Sequence, residues 1–146
     1  MLRLQDNKTK LIVNIEGYAY PFSREYWDAN WLSIEVIIYE KGDLFFNKND
    51  TCLLTTELIN LKDWFENIAK NNFGLTTNSI QFTEPCISFQ VNLNKLKIIL
   101  RYNLNPLYEQ DYDSTYVLEF EINTSIVSNL IASVGNYIEK YSERNS

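Results

Sequence analysis

Histidine is absent from this sequence of 146 residues. Its absence removes the side chain that most often serves as a general base, as a metal ligand and as the activator of a nucleophile. The two cysteines, Cys52 and Cys86, lie far apart in apolar surroundings, with no cationic neighbour in sequence to activate either thiol. We therefore expect two reduced cysteines that pack as small hydrophobes, and no zinc site, because zinc needs clustered cysteine and histidine ligands.

Glycine is scarce as well, with four residues in the chain, and no glycine-rich loop is present that could cradle a phosphate. Two acidic arrangements remain as candidates for chemistry. Glu109, Asp111 and Asp113 alternate as in a calcium loop, but the central glycine and the distant bidentate glutamate of such a loop are missing. Glu119 and Glu121 share a strand face, where a solvated surface explains them more simply than a pair of glycosidase carboxylates. The sequence therefore predicts a protein that is not an enzyme and needs no cofactor or metal.

Positive charge is in deficit, with 13 Lys and Arg residues against 19 Asp and Glu residues and a formal net charge of −6. Because nucleic-acid binding depends on neutralising phosphates with lysine and arginine, we expect no nucleic-acid partner. An acidic surface favours a basic protein partner, although charge can also serve solubility alone. No apolar run approaches the roughly 18 residues of a membrane span, and the first residues lack a signal-peptide layout, so we expect a cytoplasmic protein without a membrane partner.

Hydrophobic periodicity predicts an α+β fold in a single domain that spans residues 1–146. Apolar stripes at helical spacing predict two helices, over about 55–71 and 125–141. The expected end signals are Thr55 or Thr56 and Gly74 for the first helix, and Thr124 or Ser125 for the second.

Alternating apolar residues predict about seven to eight antiparallel strands, packed on one face by the helices. The strand patterns cover residues 11–16, 31–40, 44–46, 51–54, 86–93, 96–102 and 116–122. Asn94 and Lys95 alone separate two of these strands, which predicts a hairpin with a two-residue turn.

Residues 26–31, with the sequence YWDANW, concentrate aromatic and short polar side chains immediately before a strand. Asp28 and Asn30 can bond to nearby backbone groups and form a turn, while Tyr26 or Trp27 covers the end of the core and Trp31 opens the strand. The same residue types also anchor protein interfaces. We favour the interpretation that these five residues form a motif that determines the fold.

Four segments of the chain resemble those of one family of small bacterial proteins. GYAYP followed by EYWDANWLSIEV resembles a GY-x-x-P loop and the WDANWL opening of a strand. TTELINLKDWFENI resembles the first helix of that family, TEPCISFQV the start of a strand, and YVLEFEINTSIVSNLIASVGNYI the closing strand and helix. On these segments the chain resembles the WapI-like immunity protein family over nearly its whole length.

The resemblance implies an immunity protein that binds and occludes a cognate toxin domain without catalysis. The namesake of the family neutralises the toxic C-terminal domain of a wall-associated, contact-dependent toxin. Together with the charge, this predicts as partner the C-terminal domain of a secreted or contact-dependent bacterial toxin, basic in charge and a nuclease among the possible activities. The residues predicted to contact it are Glu109, Asp111, Tyr112, Asp113, Glu119 and Glu121.

A second hypothesis stays open from the residues alone. The chain could bind a small ligand such as a sugar, or act on one, through a pocket lined by aromatic side chains. The candidates for such a pocket are Tyr18, Tyr20, Trp27, Trp31, Tyr108 and Tyr112.

Overall fold

A computed structural model describes residues 1–71, 77–108, 110 and 113–145. These residues form an α+β fold with eight strands and two long helices, which confirms the predicted fold class, and one short helix that the periodicity does not predict. The elements are β1 (Leu2–Gln5), β2 (Thr9–Tyr18), α1 (Tyr26–Ala29), β3 (Trp31–Glu40), β4 (Asp43–Leu54), α2 (Thr55–Lys70), β5 (Asn78–Ile80), β6 (Ile87–Asn92), β7 (Lys95–Leu100), β8 (Tyr116–Glu121) and α3 (Thr124–Lys140). A single 3₁₀ turn, Tyr102–Leu104, follows β7.

The first sheet is antiparallel with the strand order β1-β2-β3-β4. Residues of β2 and β3 that face inward pair directly, for example Val13 with Val36, so that one side of the sheet is apolar. The two short strands expected at 44–46 and 51–54 are parts of the single strand β4. Its polar middle, residues 47–50, stays paired with β3, because backbone hydrogen bonds do not require apolar side chains.

The second sheet is antiparallel with the order β5-β6-β7-β8. Its central hairpin turns at Leu93 and Asn94, one residue earlier than predicted, and Lys95 already pairs with Asn92. Both turn residues are left-handed, with φ of 49° and 65°. A two-residue hairpin turn of this kind needs positive φ at both positions, which asparagine tolerates and leucine does not.

Both helices lie where the sequence predicts them, but their caps differ from the prediction. The Glu57 carboxylate accepts the backbone N–H of Leu54 at 3.0 Å and so closes the start of α2. For α3 the sequence predicts Thr124 or Ser125 as the N-cap. The cap is instead Asn123, whose side chain accepts the Ile126 N–H at 2.9 Å. Gly74, the expected stop signal of α2, lies outside the described residues. None of the described helices is long and apolar enough to cross a membrane.

Apolar residues from both sheets and both long helices form one continuous core cluster. Within this core, Cys52 of β4 and Cys86 before β6, both buried, form a disulfide with Cα atoms 6.5 Å apart. The expectation of two reduced cysteines is therefore wrong. It failed because the two residues are 34 positions apart and meet only through tertiary packing. The bond joins the end of β4, in the first sheet, to the residue that precedes β6, in the second.

Candidate functional site

The motif at residues 26–31 surrounds a buried asparagine. Asn30 follows α1, is 2% exposed, and uses all four hydrogen-bonding positions of its amide. Its Nδ2 donates to the carbonyl oxygens of Tyr26 and Arg144, both at 2.8 Å. Its Oδ1 accepts the backbone N–H of Arg144 at 2.7 Å and the hydroxyl of Thr55 at 3.0 Å. Asn30 therefore joins α1, the start of α2 and the segment after α3.

The segment at 142–144 lies against the loop that carries the motif. The Arg144 guanidinium donates to the carbonyl oxygens of Ala29, Pro21 and Tyr20, with Nη1 of Arg144 2.9 Å from the Pro21 oxygen. It also stacks on the Tyr18 ring at 3.8 Å from the ring centroid. The planar fork of an arginine suits such a set of convergent carbonyl groups. Arg144 thus fixes the backbone path of residues 18–29 through these contacts.

Two tyrosine hydroxyls extend this contact. Tyr18 donates to the Ser142 carbonyl oxygen at 2.6 Å, and Tyr26 donates to the Glu143 carboxylate. The hydrogen bond to Glu143 raises the pKa of Tyr26, because the neutral phenol is the form that can donate. The segment at 142–144 therefore contacts both ends of the motif loop.

The same loop displays large aromatic side chains to solvent. Phe22 is 95% exposed, Trp27 is 65% exposed and Tyr20 is 47% exposed. Of the two residues expected to cover the end of the core, Tyr26 or Trp27, Trp27 does not do so: its ring packs edge-on against Tyr26, with 5.3 Å between centroids, and stays largely in solvent. Tyr26 is half-buried. Nor does Asn30 simply form a local turn, since its amide also reaches residues 25 and 114 positions away. Trp31 opens β3 as predicted.

An open groove of about 320 Å³ lies beside this loop. It is lined by Tyr20, Asp28, Trp31, Asp50, Thr51 and Glu84. The loop side of the groove is aligned with β3 because the Ala19 N–H donates to the Trp31 carbonyl oxygen at 2.8 Å.

One disulfide and one hydrogen bond position the far side of the groove. The disulfide ties Cys52, next to Thr51, to Cys86, two residues after Glu84. Glu57 adds a second link, because its free carboxylate oxygen accepts the Thr83 N–H at 2.8 Å. Carboxylates that are 34 residues apart in sequence are thereby held around one groove.

The three carboxylates of the groove have no cationic partner within the described part of the chain. The ion pairs among the described residues are Lys62–Glu66, Lys95–Glu119 and Lys97–Glu119, and none of them involves a residue of the groove. Asp50 accepts hydrogen bonds from its neighbour Thr51 and, at 3.5 Å, from Asn103. The groove therefore carries uncompensated negative charge next to exposed aromatic rings.

Of the residues predicted to bind a partner, those that the structure describes do not line this groove. Glu119 and Glu121 lie on the outer face of the second sheet, where Glu119 pairs with Lys95 at 3.7 Å and with Lys97 at 3.9 Å. Asp113 is exposed before β8. Glu109, Asp111 and Tyr112 lie outside the described residues. The described part of this predicted surface has mixed charge.

The five described aromatic candidates for a small-ligand pocket do not converge on one cavity. Tyr18 packs against Arg144 and against Tyr141, with ring centroids 5.7 Å apart for the tyrosine pair. Tyr20 and Trp31 line the open groove, whereas Trp27 lies largely in solvent. Tyr108 is half-buried in another loop, and Tyr112 lies outside the described residues. Among the described side chains, no group of three or more His, Cys, Asp or Glu could hold a metal ion.

Sequence reasoning missed Asp50 and Glu84 as neighbours. One signal could have found them: each stands two residues before a cysteine, in DTC and EPC, so a disulfide pairing would have placed the two carboxylates together.

Comparison with known proteins gives one family. No curated protein matches the chain at a significant level. The immunity protein WapI-like family matches residues 1–142, which confirms the resemblance found in the sequence. By this match over nearly its full length, the chain belongs to the WapI-like immunity protein family.

Proposed function

We propose that this protein neutralises a cognate bacterial toxin by binding the toxin domain directly and covering its working surface, with no catalysis of its own. Family membership over residues 1–142 carries the proposal. The absence of histidine agrees with it, since occlusion needs surface complementarity rather than an acid, a base or a nucleophile.

The partner we propose is the C-terminal domain of a secreted or contact-dependent toxin, with a basic binding face. The net charge of −6 supports this choice, because opposite fields accelerate encounter and disfavour wrong partners. A nuclease domain fits the same requirement, because a surface that binds phosphates is rich in lysine and arginine. The encounter would occur in the cytoplasm of the protected cell.

Calorimetric titration with the toxin C-terminal domain encoded beside this protein tests the proposal. We expect a one-to-one complex with a dissociation constant in the nanomolar range, and weaker binding as ionic strength rises. In a parallel assay, toxin activity should fall to zero when the two proteins are equimolar. Absence of binding at both low and moderate ionic strength would overturn the proposal, and a small-ligand screen of the groove at Tyr20 and Trp31 would follow.

A further inference from the structure

We propose that the toxin domain docks on the loop and groove around residues 20–28, and that a lysine or arginine side chain of the toxin enters the groove. The surface, called here the aromatic-acidic surface, consists of Tyr20, Phe22, Trp27, Asp28, Asp50 and Glu84. This inference rests on the proposed function and names the face and the partner chemistry that the function leaves open.

The exposed rings are the first argument. Phe22 lies in the loop before α1 and is 95% exposed, and Trp27, five positions later, lies in α1 and is 65% exposed. Tyr20, two positions before Phe22, is 47% exposed. Exposed aromatic side chains grouped in this way are costly to leave in water, and they are the residue types that most often dominate the energy of protein interfaces. Burial against a partner would recover that free energy.

Charge is the second argument and defines the partner. Asp28, Asp50 and Glu84 face one groove, and none of them takes part in an ion pair among the described residues. Two arginines belong to this region. Arg144 is already committed to three backbone carbonyl groups, and Arg24, on the loop itself, forms no ion pair with these carboxylates among the described residues. A cationic side chain from a basic toxin face would therefore supply the missing counter-charge.

Rigidity is the third argument. The buried Asn30 and the partly exposed Arg144 hold the loop by hydrogen bonds, and the Cys52–Cys86 bond fixes the opposite wall of the groove. A surface that is already ordered loses little conformational entropy on binding, so more of the contact free energy appears as affinity. Large exposed rings on a braced loop are typical of a binding surface.

The outer face of the second sheet meets these conditions less well. Glu119, its central carboxylate, already has Lys95 and Lys97 as partners. A basic toxin face would be repelled by those two lysines, or would have to displace them from Glu119. We therefore place the toxin on the aromatic-acidic surface rather than on Glu119 and Glu121.

Two variants and two matched controls test this assignment in titrations with the cognate toxin domain. We expect Trp27→Ala to weaken binding by about 30-fold or more, as for an interface hot spot. The double variant Asp28→Asn/Glu84→Gln should weaken binding about tenfold and make the dissociation constant less dependent on ionic strength. The controls are Leu44→Ala, an exposed apolar residue of β4, and Glu119→Gln/Glu121→Gln; both should bind within about twofold of the wild type.

The possible outcomes separate the two proposals. Thermal melting of each variant first establishes that it folds, and amide exchange of residues 19–30 in the wild-type complex reads the surface without any substitution. Loss of binding in Glu119→Gln/Glu121→Gln, with Trp27→Ala and Asp28→Asn/Glu84→Gln unaffected, would overturn the surface and keep the function. No amide protection at residues 19–30 would do the same. Failure of the wild type to bind would overturn the function, and the surface with it.

Discussion

At the scale of single residues, Asn30 explains why an aromatic and polar stretch precedes β3. An asparagine amide offers two donors and two acceptor positions, and the protein uses all of them at this buried site. Aspartate has the same size but lacks both donors, and it would set a carboxylate against the Tyr26 and Arg144 carbonyl oxygens. The chemistry of the site therefore selects asparagine rather than any small polar residue.

We predict that Asn30→Ala lowers the free energy of unfolding by about 2–4 kcal/mol, because buried partners lose their hydrogen bonds. Asn30→Asp should lower it by a similar amount despite its near-identical size. Urea denaturation measures both. Asn47→Ala, at an exposed position of β4, is the matched control and should change stability by less than about 0.5 kcal/mol. Full stability of Asn30→Asp would show that packing, and not hydrogen bonding, holds this residue.

At the scale of elements, the hairpin between β6 and β7 contains a residue that its turn disfavours. Leu93 has a φ of 49° and is 61% exposed, so it gains little from burial and bears the strain of a left-handed backbone. We predict that Leu93→Asn raises the free energy of unfolding by about 0.5–1 kcal/mol, since asparagine tolerates this conformation.

Denaturation curves of Leu93→Asn and of Leu107→Asn separate two explanations. Leu107 is also an exposed leucine, 39% exposed, but it is not among the positive-φ residues. Equal stabilisation by both substitutions would assign the gain to removal of exposed apolar surface, contrary to the turn argument.

The elements also show what sequence periodicity can and cannot predict. It placed β3 at residues 31–40 and both long helices within a residue of their observed ends, because ten or more residues of regular apolar spacing leave little ambiguity. It missed β1 and β5, of four and three residues: β1 does alternate, with Leu2 and Leu4 buried, but runs this short are too brief to distinguish a strand from a loop. The groove was beyond its reach, because Asp50 and Glu84 become neighbours only when the two sheets pack.

At the scale of the whole molecule, the Cys52–Cys86 bond joins the two sheets and closes a loop of 34 residues. We predict that reduction lowers the free energy of unfolding by roughly 3 to 4 kcal/mol, from the chain entropy that a loop of this length restores to the unfolded state. Guanidinium denaturation with and without reductant measures the difference.

The double variant Cys52→Ala/Cys86→Ala is the control for that experiment and should show no response to reductant. An unchanged midpoint for the reduced wild type would contradict the prediction. Thiol trapping in intact cells extends the test to localisation, because cytosolic thiols are normally kept reduced. A bond found fully oxidised in the cell would argue against the proposed cytoplasmic encounter with the toxin.

The contact between Asn30 and Arg144 also has a consequence in time. The two residues are 114 positions apart, so at about 5–20 residues per second of synthesis the ribosome adds Arg144 roughly 6 to 23 seconds after Asn30. During that interval the growing chain carries the loop of Phe22 and Trp27 without the segment that braces it. Chains still under translation should therefore give a cell no protection, and resistance should rise only with the stock of chains extended past residue 144.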